Sequence, residues 1–412
     1  MLSTAQELDG IIAKLTRDPY RDLPRLVVMA ARKDDAVVYS GAGGYAQLPE
    51  QPTEASELAK RGEPADEDSV FELYSCTKLP AVIAGLQLVE QGKLALDDDA
   101  SKYIPELKNV KVFKGTYDAQ DQPECEPLRG VVTIHMLLTH TSGSYYPFFD
   151  PAMGKLATKL PGKGMVYSAG NSKETLFEIP FAAQPGEKFR YGYSLDYLTL
   201  IVEQISGLTL EQYFQQNIFR PLGIQGMSFA PNPKQMSMAL ENPEATDGVY
   251  AFRKNDPMSE TQHFGGAGLK GSPKEYLKIV RAILRGGEFD GNRILRQETV
   301  DLMFKEQLST DEQRKSFHVM AKVNFDPSIY KAGGEVDESN THGYGGGLHS
   351  KTTTGKSQGT LSWSGMANTY WACDREQDLA FVVFTNLLPT GTPRVMEGWH
   401  AVEQKLYEGL KR

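Results

Sequence analysis

The strand-like residues of this chain lie at its two ends and the helix-like ones between them, so any sheet it forms must join segments from opposite ends of the sequence. Residues 25–31 (RLVVMAA) and 36–40 (AVVYS) are apolar and β-branched, and Arg32-Lys33-Asp34-Asp35 between them suits a hairpin. Residues 359–363, 369–373 and 379–386 (LAFVVFTN) read as successive antiparallel strands. Leu8, Ile11, Ile12 and Leu15 recur at helical intervals within residues 4–15, and residues 395–410 predict a closing helix. The middle third reads as mostly helical, most clearly over residues 198–207 and 276–286, between proline- and glycine-rich connections. This order predicts an α/β (α+β) fold: an antiparallel sheet built from both termini, flanked by helices, with an inserted, mainly helical region. The expected division is a sheet domain of residues 1–75 and 285–412, a helical domain of residues 76–284, and an active site at their interface.

At 412 residues the chain is long enough for one large composite domain or two interlocked ones. Its 53 acidic and 44 basic side chains form no long single-sign block, which argues against nucleic acid as a partner. Cys76, Cys125 and Cys373 are odd in number and far apart, with no second ligand at metal spacing, so neither a disulfide framework nor a metal site is expected. Acidic residues among the first ten positions do not read as a secretory signal, and no run approaches the ~20 apolar residues of a membrane span. A cytoplasmic protein without membrane contact is the expectation.

Ser-x-x-Lys occurs twice, a pattern short enough to arise by chance. Ser328-Ile329-Tyr330-Lys331 follows Asp326-Pro327 in a loop-like stretch, whereas Ser75-Cys76-Thr77-Lys78 follows the run 70–74 and opens a helical pattern reaching Gln91-Gly92. At a helix start, residues i and i+3 share a face, so the lysine lies beside the serine hydroxyl and the helix dipole favours its neutral form. A neutral Lys78 could take the Ser75 proton, and the unpaired N–H groups at a helix N-terminus, that of Ser75 included, could face the oxyanion of acyl attack. Pro80 falls five residues into that pattern, so the first turn must be tight or begin slightly later.

The run Val132-Thr133-Ile134-His135-Met136-Leu137-Leu138-Thr139-His140-Thr141-Ser142-Gly143 closely resembles a signature of the class C β-lactamase and penicillin-binding-protein superfamily. Residues 185–191 (PGEKFRY) resemble the segment ending in that family's catalytic tyrosine, with Tyr191 at the matching position. Residues 264–276 and 359–365 complete a collinear set of matches. The likeness is greatest to the branch of fungal polyketide, statin-type acyltransferases and family VIII esterases. Tyr193 stands where lactamases commonly carry Asn, and Trp363-Ser364-Gly365 replaces the usual Lys-Thr-Gly, removing the cation that would hold a β-lactam carboxylate. The resemblance implies a β-lactamase/transpeptidase-like fold with Ser75 as nucleophile and Lys78 and Tyr191 as the proton-handling pair. The N–H groups of Ser75 and Met366 are implied as the oxyanion hole. Neither Lys78 nor Tyr191 would act well at an ordinary pKa near ~10, so proximity and burial must shift them.

Tyr145, Tyr146, Trp363, Ser364 and Gly365 are the substrate-binding candidates. By the resemblance the aromatic cluster 145–149 would border the acyl pocket, core packing being the alternative, and Trp363 at the mouth would extend an apolar wall suited to a hydrophobic acyl chain. The implied reaction is a covalent acyl-enzyme on Ser75, with no metal or organic cofactor. Its acyl donor is a small ester, a thioester or a carrier-protein-bound acyl group, and its acceptor is an alcohol of a small hydrophobic, polyketide-like metabolite. Hydrolysis to free acid is one alternative, and a catalytically silent binding protein on the same fold is another. Three other patterns read as structural. Gly192-Tyr193-Ser194-Leu195-Asp196 lacks the last glycine of a nucleophile elbow, and residues 350–357 lack the first glycine of a phosphate loop. His342 to Gly347 reads as a tight glycine turn beside a strand.

Overall fold

The computed structural model describes residues 3–34, 37–49, 53, 57–58, 60, 62–160, 167, 172–232, 234–241, 249–253, 262–324, 338–350 and 354–410. Seven strands form one sheet: β1 (Arg25–Ala31), β2 (Val37–Gly44), β3 (Thr341–His342), β4 (Gly347–Leu348), β5 (Leu361–Gly365), β6 (Thr369–Asp374) and β7 (Leu379–Phe384). Their spatial order is β3-β4-β5-β6-β7-β1-β2, and every neighbouring pair is antiparallel. The joint between the two ends of the sequence is the β1–β7 ladder, which sets Val27 opposite Phe384 and Ala31 opposite Ala380. Strand β2 runs past the expected Ser40 to Gly44, because ladder pairing uses only backbone groups and Gly41, Gly43 and Gly44 can join it without strand-forming side chains. At Gly44, with φ +78°, a Cβ would lie 2.2 Å from the Pro24 carbonyl, so only glycine fits.

The central strands read as unbroken apolar runs because both faces of the sheet are buried. Val27, Met29, Ala31, Trp371, Val382 and Phe384 enter one core, whereas Leu26, Val28, Ala30, Tyr370, Phe381 and Val383 enter another. The helices that set the architecture are α1 (Thr4–Leu15), α2 (Lys78–Glu90), α3 (Ser194–Ser206), α4 (Pro273–Leu284) and α5 (Pro393–Leu410). The second core is closed by Leu8 and Ile12 of α1 with Trp399, Val402 and Leu406 of α5. The first face is covered by α4, which packs on β1, β6 and β7. Because α4 falls within residues 76–284 yet lies on the sheet, we propose drawing the boundary of the sheet unit ahead of Pro273. Ser272 caps α4 and Pro273 occupies its first turn, so it starts ahead of the expected residue 276. Helix α2 is buried from Lys78 to Leu88 and meets α3 where Gly85 leaves room for Leu198. Among the described residues no helix is long and apolar enough to cross a membrane.

Ser75 does not sit on an α-helix. Phe71–Glu72 pairs with Lys270–Gly271, the backbone turns at Tyr74 with φ 43°, and a 3-10 turn over Tyr74–Thr77 precedes the first residue of α2, Lys78. Pro80 explains the delay: within an α-helix begun at Ser75 its ring would clash with the Cys76 carbonyl, whereas at the third position of α2 no intrahelical N–H is needed. The Cys76 carbonyl instead accepts a hydrogen bond from Tyr276 Oη of α4 at 2.8 Å. This bond ties the turn carrying Ser75 to the sheet-covering helix. Tyr276→Phe is expected to cost about 1 kcal/mol of stability, read as a lower urea midpoint at unchanged m-value.

Candidate active site

Lys78 is 2% exposed, and its Nζ donates to Ser75 Oγ at 3.0 Å, Tyr146 Oη at 3.0 Å and the Gly266 carbonyl at 2.7 Å. These three acceptors match the three donors of an ammonium group. Ser75 is only partly buried, so its hydroxyl is reachable from outside while the lysine beside it is dry. Tyr146 Oη lies 2.7 Å from Tyr167 Oη, which donates to Asp196 Oδ2 at 2.9 Å. Asp196 Oδ1 accepts from the Gly266 N–H at 2.8 Å, closing a ring of hydrogen bonds that begins and ends on Lys78.

Tyr191 forms the other wall. Its ring centroid is 4.8 Å from Lys78 Nζ, and its Oη accepts from Trp363 Nε1 at 3.1 Å. Because an indole N–H can only donate, the proton of Tyr191 is directed elsewhere. Trp363 is 4% exposed, so the expectation that it sits at the mouth is corrected: its indole lies inside, against Tyr191. The run 132–143 fastens the loop carrying Tyr191. The His140 carbonyl accepts from the Arg190 N–H, the Thr141 carbonyl from the Gly186 N–H, and Ser142 Oγ pairs with Ser194 Oγ.

Strand β5 brings Gly365 so close to the serine turn that a Cβ there would lie 2.3 Å from the Leu73 carbonyl. Met366 follows at the end of β5 and is 41% exposed. Ser364 pairs with Tyr370 across the sheet and, by strand alternation, faces away from Trp363. Tyr145 is turned from Lys78 towards Phe149 and the Arg190 guanidinium, 5.5 Å from its ring centroid. Ser194, at the centre of the elbow-like pattern, is wholly buried. His342 and Gly347 belong to the paired strands β3 and β4, joined by a turn with Gly345 at φ +96°. The second Ser-x-x-Lys, at 328–331, and residues 351–353 of the loop 350–357 lie outside the described residues.

Sequence reasoning treated Tyr146 as pocket wall and missed its hydroxyl on Lys78, together with Asp196, Tyr167 and the Gly266 carbonyl. One signal was available for Asp196: a carboxylate on the same helical face as Leu200, in a helix whose first nine residues are buried.

The family model described as Beta-lactamase matches residues 20–405. The chain belongs to the beta-lactamase family. The acyltransferase mokF of Monascus pilosus is 32% identical over 300 residues, 71% of this chain and 69% of that one. The lovastatin esterase of Penicillium rubens is 31% identical over 368 residues, 86% of this chain and 87% of that one. Among solved structures, the LovD6 mutant of simvastatin synthase from Aspergillus terreus has a TM-score of 0.84 at 26% identity, over 99% of this chain and 96% of that one.

In this beta-lactamase-family chain the electrostatics of the site follow from dryness. Burial pulls the Lys78 pKa down to about 7, opposed by the nearby Asp196 carboxylate and by Cys76. Burial pushes Asp196 up to about 6, opposed by Lys78 and the Gly266 N–H. It also holds Tyr146 and Tyr167 well above the ordinary phenol value, so both remain protonated. A lysine acting as base must be neutral, and the neutral fraction of Lys78 grows as pH rises. Acylation kcat/KM is therefore expected to climb through about pH 7 to a plateau, measured with an ester whose own reactivity is constant over that range. A flat profile between pH 5 and 8 would exclude Lys78 as the base.

Proposed function

We propose that this chain is a serine acyltransferase that forms a covalent acyl-enzyme on Ser75 and passes the acyl group to an alcohol of a small hydrophobic, polyketide-like metabolite. The observation that carries the reading is a buried lysine amine 3.0 Å from a reachable serine hydroxyl. Neutral Lys78 takes the Ser75 proton as Oγ bonds to the acyl carbon, and the resulting oxyanion is held by the N–H groups of Ser75 and Met366. The tetrahedral adduct then expels its alcohol or thiol, which leaves with a proton supplied from the Lys78–Tyr191 pair. Deacylation reverses these transfers, with the acceptor hydroxyl giving up its proton as it attacks. Ester, thioester and carrier-bound acyl groups are the donors considered, and a cytoplasmic location is part of the reading, supported by three cysteines that form no disulfide.

Two features support a hydrophobic substrate. Phe148 is 51% exposed and stacks on Tyr146 at 5.2 Å, and it packs edge-on to Phe149, which presents an aromatic surface beside the lysine. Trp363 stands where the family resemblance would place a carboxylate-holding lysine, and its indole N–H is already given to Tyr191 Oη, so this wall offers apolar contact and no cation. Phe148→Ala is expected to lower kcat/KM for hydrophobic acyl donors by about tenfold, mainly through KM, with acetyl esters affected less.

Hydrolysis is the second reading, favoured by the esterase relative at 31% identity. Incubation with a p-nitrophenyl or thioester donor should give an acyl mass shift on the parent chain and none on Ser75→Ala. Added hydrophobic alcohols should divert the acyl group to ester product. Free acid as the sole product would replace transfer with hydrolysis, and absence of any adduct would favour a binding protein.

A further inference from the structure

The hydrogen-bond ring through Tyr146, Tyr167, Asp196 and Gly266 has fixed ends: the Asp196 carboxylate and the Gly266 carbonyl can only accept, and the Gly266 N–H can only donate. A carboxylate carries no proton, and a backbone N–H accepts nothing. From these fixed ends the orientation of every intermediate proton follows. Asp196 Oδ2 requires the Tyr167 proton, so Tyr167 Oη must accept from Tyr146 across their 2.7 Å contact. Tyr146 Oη, its own proton spent, must accept from Lys78. The Gly266 carbonyl requires a second Lys78 proton. A neutral lysine amine has two protons and one lone pair, and both protons are now committed.

We propose that Asp196 is a positioning residue that, through Tyr167 and Tyr146, fixes the direction of this chain of hydrogen bonds and so aims the lone pair of neutral Lys78 at the Ser75 hydroxyl. The inference rests on Lys78 being the base for Ser75. When the Ser75 O–H bond breaks and the N–H bond forms, Lys78 becomes an ammonium whose three protons face Ser75 Oγ, Tyr146 and Gly266, so nothing else in the ring has to turn. The preference is built before the substrate arrives and costs no reorganisation during the reaction. The reactive state is the one with Lys78 neutral and Asp196 ionised, and the Gly266 N–H and Tyr167 hydroxyl that Asp196 accepts from both favour its ionised form.

Asparagine at position 196 reverses the logic without changing the shape. The Gly266 N–H must still meet the amide oxygen, which leaves the NH2 group facing Tyr167. Tyr167 then accepts, its proton turns to Tyr146, and the Tyr146 proton turns onto the Lys78 lone pair. Phenylalanine at position 167 cuts the chain between the two ends and frees Tyr146 from this constraint.

The test is the burst of p-nitrophenolate on acylation of the full-length chain by a p-nitrophenyl ester, with thermal unfolding of every variant. Asp196→Asn is expected to lower the acylation rate constant by about a hundredfold while KM stays within about twofold. Tyr167→Phe alone should lower it by about tenfold, and adding it to Asp196→Asn should restore at least about tenfold of the lost rate, a recovery that a damaged fold would not give. An Asp196→Asn variant that acylates like the parent, or a double variant slower than Asp196→Asn, would overturn the inference while leaving Ser75 chemistry intact. Should Asp196→Asn not fold, Tyr167→Phe decides alone: an unchanged rate overturns the proposal. A parent with no burst, equal to Ser75→Ala, would remove both this inference and the acyl-enzyme reading.

Discussion

The structure depends on keeping one amine out of water. Lys78 is 2% exposed, and the desolvation that lowers its pKa would be ruinous if its protons had nowhere to go. Its three acceptors come from three distant segments: Ser75 on the preceding turn, Tyr146 after the run 132–143, and the backbone of Gly266. Burial of a titratable group thus requires that all three segments be placed to within hydrogen-bonding distance of each other. Much of the surrounding architecture can be understood as meeting that requirement.

Helix α2 carries the amine and is buried on all sides, so it cannot shift without disturbing the core. Its N-terminal turn is pinned from α4 by Tyr276, from β6 by the Thr369 hydroxyl on the Leu73 carbonyl, and from the 264–271 segment by the Leu269 N–H on Thr77. The tyrosine loop is pinned by backbone bonds to the run 132–143. Trp363, whose indole N–H reaches Tyr191, links that loop to the sheet. A reacting centre assembled from a turn, a loop and a strand end is in this way held by rigid elements on every side.

Much of the fold was legible because its determinants are local or periodic. Burial of both sheet faces writes long apolar runs at 25–31 and 379–384, whereas the start of α4 at the Ser272-Pro273 cap lay ahead of the 276 that its apolar spacing suggested. The nearness of Ser75 and Lys78 was legible because three residues on a helical turn bring two side chains together whatever surrounds them. Tyr146 was harder: an aromatic residue in the cluster 145–149 looks the same in sequence whether its hydroxyl is idle or bonded to an amine. Gly266 contributes a carbonyl that every residue possesses, so no composition marks it. Asp196 and Tyr167 meet only in three dimensions; the effect of Pro80 on the start of α2 was foreseen, but Tyr276, whose hydroxyl takes up the Cys76 carbonyl of the 3-10 turn, lies far along the chain.

The β1–β7 ladder has a consequence for how the molecule comes into being. Ser75 and Lys78 are synthesised roughly 300 residues ahead of Trp363, Gly365 and the hairpin of β6 and β7 that enclose them. Strand β1 stays unpaired on one edge until β7, about 350 residues later, has been synthesised, a long-range closure of the kind that slows folding. In chain order, therefore, the serine and the lysine precede the strands that organise them.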